Sequence, residues 1–440
     1  MKADIRRAGA FFLVGTLSLI APALETEIGS TLATVGTVLS FGLVAAVALS
    51  TTRGVGFELF ARDGDRIEGR LFGLAGFALA SAALGILVLA IDLPSVAFVV
   101  AIFVLTTGNL AGTAATRRRP DPAAVTSAFV IVGTVGGVAA ALVTERLGGT
   151  VLSFPLVLFV ATSGALLAAL VRSALFARDD ALVVVLIGLV TWLLLWLETN
   201  PTMQIVGTGV ALAVLLGAAA YRIGTASVTG TLSGILFALL AYVLGGIGWF
   251  VLLVTFFGLG SLASKYRYEE KRDRGLAQGN EGARGGANVM ANSAVAIIAV
   301  VGFAASGEIG LSSEVFELAF AGGVASALAD TFSSEFGGLF RNPRLITNLE
   351  PVPPGTDGGV TWQGIVAGLA GAGIIAFLMT PFFSLSRLAI GVVVLAGFLG
   401  TIIDSLLGAT LEGQTLTNQS VNLLATLVAA LVAGSAAILL

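Results

Sequence analysis

Apolar runs of about 17–25 residues, the length at which an α-helix spans the hydrocarbon core of a bilayer, recur from one end of this chain to the other. Backbone groups in lipid must be satisfied internally, so repeated runs of this length leave little choice but a bundle of transmembrane helices. The short alternating segments of a β-barrel are absent. Charged residues make up only 11% of the 440-residue chain, against about 25% in a soluble domain. The sequence thus predicts an all-α, polytopic integral membrane bundle of about 14–15 transmembrane helices, from 8–24 to 422–440. The basic flank of the first run resembles a signal peptide, but so many spans follow that an uncleaved first helix is the better reading.

Loop charge orients the bundle. One set of alternate loops carries Arg6, Arg7, Arg53, Arg62, Arg66, Arg117, Arg118, Arg119, Arg172, Lys265, Arg341 and Arg344. The other set is acidic or neutral apart from Arg146 and Arg387. Basic loops stay inside, which predicts a multi-pass protein of the cell membrane with a cytoplasmic N-terminus. Polar residues are scarce within the spans of residues 1–180, Asn109 being the main exception, and they cluster in residues 181–440. A boundary is drawn between these segments, and the role of the first six helices is left open.

The chain has no Cys and no His. Thiolate chemistry, haem ligation and histidine proton relays are excluded. A metal would have to sit on oxygen ligands, which favours Mg²⁺ or Mn²⁺ over Zn²⁺.

Four polar clusters of the second half fall on the predicted cytoplasmic side. In "GARGGANVMANS", Arg284, Asn288 and Asn292 recur at a helical spacing that places them on one stripe. A guanidinium and two amides suit phosphate oxygens. In "ASALADTFSSEFGG", Asp330, Ser333 and Ser334 share a helix face, with Glu335 just round it. Their carboxylates and hydroxyls match the ligand preferences of Mg²⁺. "PVPPGTDGG" is a rigid turn whose glycines Gly355, Gly358 and Gly359 allow backbone N–H groups to converge on an anion. It is not a Walker A loop, since no Gly-Lys-Ser/Thr follows. In the last cluster Asp404, Gly408 and Glu412 form a stripe, and Asn418 and Asn422 a further pair.

There is also an internal echo. Gly323 precedes Asp330-Thr331 as Gly397 precedes Asp404-Ser405, seven residues apart in each case. A parallel repeat of helix pairs, 287–330 and 362–404, would bring Asp330 and Asp404 together. Two facing carboxylates need a cation between them or a shared proton.

The motifs "GGANVMANS", "ADTFSSEFG", "PRLIT", "PVPPGTDGGVTWQG" and "GFLGTIIDSLLGATLE" resemble, in order and over about residues 205–440, the transmembrane protein nineteen family. It is also called domain-of-unknown-function family ninety-two, and it includes the plant phytyl-phosphate kinase. Asp330, Glu335 and Asp404 fall on its acidic motif positions, and Gly355, Gly358 and Gly359 on its Gly-rich loop. The chain departs from the family at Asp357, where members often carry Ser or Asn. The resemblance implies a nucleotide-dependent phosphotransferase acting on an isoprenyl (phytyl- or polyprenyl-) phosphate. Its expected partners are that lipid and a nucleoside triphosphate, with no nucleic acid. In this reading Asp330, Glu335 and Asp404 hold Mg²⁺, while Arg284 and Lys265 neutralise phosphates. Asn288, Asn292, Ser334, Asn418, Asn422 and the glycine loop position them. A transporter or flippase for a lipid phosphate or small anion is the alternative, and a membrane scaffold a third. The depth of the polar cluster separates the first two, because transporter sites lie near the midplane.

Overall fold

The structure is a computed structural model and describes residues 2–174, 180–276 and 285–439. Among them, 13 helices are long and apolar enough to cross a membrane, from Asp4–Ile28 to Asn418–Leu439. Two shorter apolar helices, Asp180–Trp196 and Trp362–Leu378, complete the set expected from the sequence. The protein is a polytopic helical membrane bundle.

The chain forms two compact units, Met1–Val206 and Gly207–Leu440. The boundary therefore falls after, not before, the helix Asp180–Trp196. That helix packs on Phe72–Ala90, Ser95–Arg118 and Phe154–Ala174 of the first unit. Asp180 ties it there, paired with both Arg62 and Arg172. Asp180, at the boundary read from composition, thus makes a tertiary contact.

Lipid tails are as apolar as the side chains facing them, so helices associate through close packing rather than hydrophobic burial. In the second unit the helix Ser313–Gly337 is central, packed by Gly286–Ala304, Trp362–Leu378, Arg387–Thr410 and Asn418–Leu439. Its run "AFAGGVASALA" is buried almost without interruption. A Cβ added at Gly322 would come within 2.6 Å of the Ala433 side chain, and one at Gly371 within 3.0 Å of the Leu328 carbonyl. Backbones meet because side chains are missing. Trp249 closes the core against Phe303, Phe320 and Phe383, with ring centroids 4.8, 4.4 and 5.6 Å away.

The helices Val228–Leu240 and Ile247–Lys265 are two arms of a tight hairpin, not one kinked rod. Their junction is a π-helical turn ending at Gly246, whose φ of +92° lies in the region open to glycine. The helix Ser313–Gly337 runs two turns beyond Asp330, so the Asp330–Ser334 face is helical. The loop that follows carries a two-stranded antiparallel pairing, Arg344–Leu345 with Gly359–Val360.

Candidate functional site

Five helix termini of the second unit converge on one cavity of about 320 Å³. Ser313–Gly337 and Arg387–Thr410 arrive with their C-terminal turns and bring Asp330 and Asp404. Gly286–Ala304, Trp362–Leu378 and Asn418–Leu439 begin there and contribute Asn288, Thr361 and Asn418. Helix starts carry partial positive charge and favour anions. The two carboxylates, Asp330 and Asp404, favour a cation. The same space therefore offers complementary ground to both.

Asp330 and Asp404 meet: the Asp330 carboxyl is a hydrogen-bonding and electrostatic neighbour of Asp404. Yet Asp404 Oδ1 is buried with no hydrogen-bond partner among the described residues. A buried carboxylate oxygen left unsatisfied is costly, and it points to a missing donor or cation. Asn292 Nδ2 donates to the Asn288 carbonyl at 3.0 Å, and Asn422 Nδ2 to Asn418 Oδ1 at 3.3 Å. These bonds fix the amides against the wall while leaving each further polar capacity.

The glycine loop lies on the Asp404 helix. Gly355 and Gly358 have φ of +85° and +75°. A Cβ on Gly358 would stand 2.6 Å from the Ser405 carbonyl, and one on Gly408 would stand 3.2 Å from the Gly358 nitrogen. Only glycine lets the two backbones approach so closely. Thr361 caps the next helix by accepting from the Gly364 N–H at 3.1 Å, and it donates to the Gly337 carbonyl at 3.3 Å. This joins the loop's exit to the end of the Asp330 helix. Burial and the nearby Asp357 push the Glu412 carboxyl above its ordinary value, partly offset by a hydrogen bond with Asn418.

The cavity gathers most of the residues singled out from the sequence: Asn288, Asn292, Asp330, Ser334, Gly355, Gly358, Gly359, Asp404, Asn418 and Asn422. Three stand apart. Glu335 turns away from the cavity and pairs with Lys271 Nζ at 2.6 Å, both side chains nearly fully buried. Lys271 also donates to the Ala263 and Ser264 carbonyls at 2.9 and 3.1 Å. Glu335 is thus placed in a buried clamp rather than on the cavity wall. Lys265 is also corrected, because its ammonium donates to the Ile223 carbonyl at 3.0 Å and it does not line the cavity. Arg284 lies outside the described residues. The sequence reading missed Thr331, Thr361 and Ser405 as wall residues. Ser405 was within reach, since it follows Asp404 as Thr331 follows Asp330.

No solved structure matches the chain. The family model described as "Integral membrane protein DUF92" matches residues 211–430. The uncharacterized membrane protein MJ0933 of Methanocaldococcus jannaschii is 35% identical over 196 residues, covering 42% of this chain and 75% of its own. The chain belongs to the DUF92 family. Another similar member is Protein PGR of Arabidopsis thaliana, 31% identical over 237 residues, which covers 49% of this chain and 82% of the plant protein. Protein VTE6, chloroplastic, from the same plant is 27% identical over 198 residues, 42% of this chain and 59% of its own. The DUF92 match falls within the second unit, Gly207–Leu440, and contains every wall residue named above.

Proposed function

We propose that the second unit is a membrane-embedded kinase that converts an isoprenyl (phytyl- or polyprenyl-) phosphate to its diphosphate with a nucleoside triphosphate and Mg²⁺. The observation that carries the reading is the Asp330–Asp404 pair, with a buried carboxylate oxygen that no described residue satisfies. The DUF92 family, which includes the plant phytyl-phosphate kinase, supplies the substrate class.

The residues present fit Mg²⁺. Their donors are oxygens of carboxylates, amides and hydroxyls. Among the described residues no group of three His, Cys, Asp or Glu side chains is close enough to cage an ion. That suits an ion held by one or two carboxylates, with phosphates and water completing the shell. Asp330 and Asp404 would hold it, and when bound it would neutralise phosphate oxygens. The described lining has no Lys or Arg, while Asp357 and Glu412 add further negative charge. Without a cation this wall would repel a phosphate.

The chain's own residues position the reactants. Asn288 and Asn292 offer amide groups at a helix start. The glycine loop brings backbone amides against the Asp404 helix. A lipid phosphate is already anionic, so its oxygen attacks the terminal phosphorus without a general base. The new P–O bond forms as the bond to the nucleoside diphosphate breaks. Positioning and charge neutralisation are the main requirements, which accords with a site lacking His. The wall is built where five helices begin or end, which we read as nearer the membrane surface than the midplane position usual for a transporter. By the loop-charge rule, we place it on the cytoplasmic side of the cell membrane.

The test is to incubate purified protein with polyprenyl phosphates, Mg²⁺ and each nucleoside triphosphate in turn. Mg²⁺-dependent formation of the lipid diphosphate is expected. No product from any combination, with Mg²⁺-insensitive lipid-phosphate movement in sealed vesicles instead, would replace the kinase by a transporter.

A further inference from the structure

The first unit, which the family match does not reach, holds a cavity of its own, of about 590 Å³. Four guanidiniums line it, from Arg7, Arg62, Arg117 and Arg172, with Asp180 and Asn109 between them. Ionisable groups buried within a membrane bundle are costly, and they mark binding sites unless pairing alone explains them. Here pairing explains only part of the set. Asp180 is 6% exposed, with Arg62 on one carboxylate oxygen and Arg172 on the other. Asn109 Nδ2 donates to it at 3.2 Å. Arg62 also lies over the Phe11 ring and Arg172 over that of Phe129, 5.0 and 5.7 Å from the centroids. Both forks are thereby held in fixed planes.

Two features are left over. Arg7 is engaged by Asp4 at 2.9 Å and by the Ala61 carbonyl at 3.2 Å. Arg117 has no carboxylate partner among the described residues, and four guanidiniums face three lining carboxylates, Asp4, Asp63 and Asp180. In addition, Asn109 Oδ1 is buried without a hydrogen-bond partner among the described residues. The cavity thus wants an anion that accepts several charge-assisted bonds and also offers one O–H donor. Converging guanidinium forks match phosphate oxygens.

We infer that this cavity binds a phosphate-bearing anion that carries a hydroxyl. Arg62, Arg117 and Arg172 donate to the phosphate oxygens, Asn109 Oδ1 accepts from the hydroxyl, and Asp180 is the post that sets the spacing of two of the forks. Hydrogen phosphate and a phosphatidylglycerol headgroup both have this chemistry. The inference is independent of the kinase reading, since every residue belongs to the first unit.

The full chain in phosphatidylcholine nanodiscs is titrated with inorganic phosphate while thermal unfolding is followed. In a parallel arm it is purified from mixed phosphatidylcholine–phosphatidylglycerol vesicles, and retained lipid is counted by native mass spectrometry. A phosphate-dependent rise in Tm identifies a soluble anion, and retained phosphatidylglycerol identifies a lipid. Arg117→Gln sits at the exposed rim and should fold normally while weakening whichever ligand binds. Arg172→Gln should weaken it by roughly tenfold or more, as loss of a charge-assisted hydrogen bond implies. Asp330→Asn should leave it unchanged. Wild type that responds to neither ligand, or a response that Arg117→Gln leaves intact, overturns the inference and leaves the Asp180 cluster as a structural clamp.

Discussion

Asp330 and Asp404 are the residues on which the proposed chemistry turns, and their contact makes a specific demand on mutagenesis. If both act through one ion, Asp330→Asn and Asp404→Asn should each raise the Mg²⁺ concentration needed for turnover at least about tenfold, since even outer-shell partners of a metal commonly matter that much. The double variant should then be little worse than either single one, because residues serving one ion are not additive. Independent structural carboxylates would give additive losses of Tm and an unchanged Mg²⁺ dependence. Gly358 makes a second demand. Alanine there would be strained by about 1–3 kcal/mol at a left-handed φ, and its methyl would meet the Ser405 carbonyl. Gly358→Ala should therefore lower turnover through displacement of the loop, while Gly373→Ala, with open space around it, should not. At this scale the sequence was partly legible. The repeated Gly-x₆-Asp-Thr/Ser spacing pointed to the aspartate pair because helical periodicity carries such information. Glu335 was misplaced because its partner, Lys271, lies 64 residues away, and no local spacing encodes that contact.

The elements that matter most are those whose ends build the wall. The Lys271–Glu335 bond ties the short helix Tyr268–Asp273 to the helix bearing Asp330. Removing one partner strands a buried charge, so Lys271→Ala should destabilise the fold by about 3–5 kcal/mol. Replacing both with apolar residues of similar volume should restore most of that stability in a thermal or denaturant melt. A pair that instead contacted substrate would lose activity in the double variant without loss of Tm. Span positions were readable because 20 apolar residues in sequence have one stable answer in lipid. The π-helical turn before Gly246 and the short pairing of Arg344–Leu345 with Gly359–Val360 were not, since each depends on neighbours rather than on local hydropathy.

At the scale of the whole molecule, the DUF92 match and the second compact unit nearly coincide. A chain beginning at Gly207 should therefore retain phosphotransferase activity in detergent, and a well-folded but inactive truncation would show that the first unit completes the site. The absence of cysteine permits a direct test of the proposed orientation. A single cysteine at Glu350 should resist impermeant thiol reagents in intact cells and react once the membrane is opened. The division at residue 180 read from composition was displaced because Asp180 belongs to a long-range ion cluster that composition cannot show. The gathering of five helix ends on one side of the second unit has a further consequence. Under the proposed reaction, a lipid need never move its headgroup through the hydrocarbon to be served. The enzyme would draw on a single leaflet, so isoprenyl phosphates stranded in the other would be invisible to it, and bilayer asymmetry itself would ration the supply.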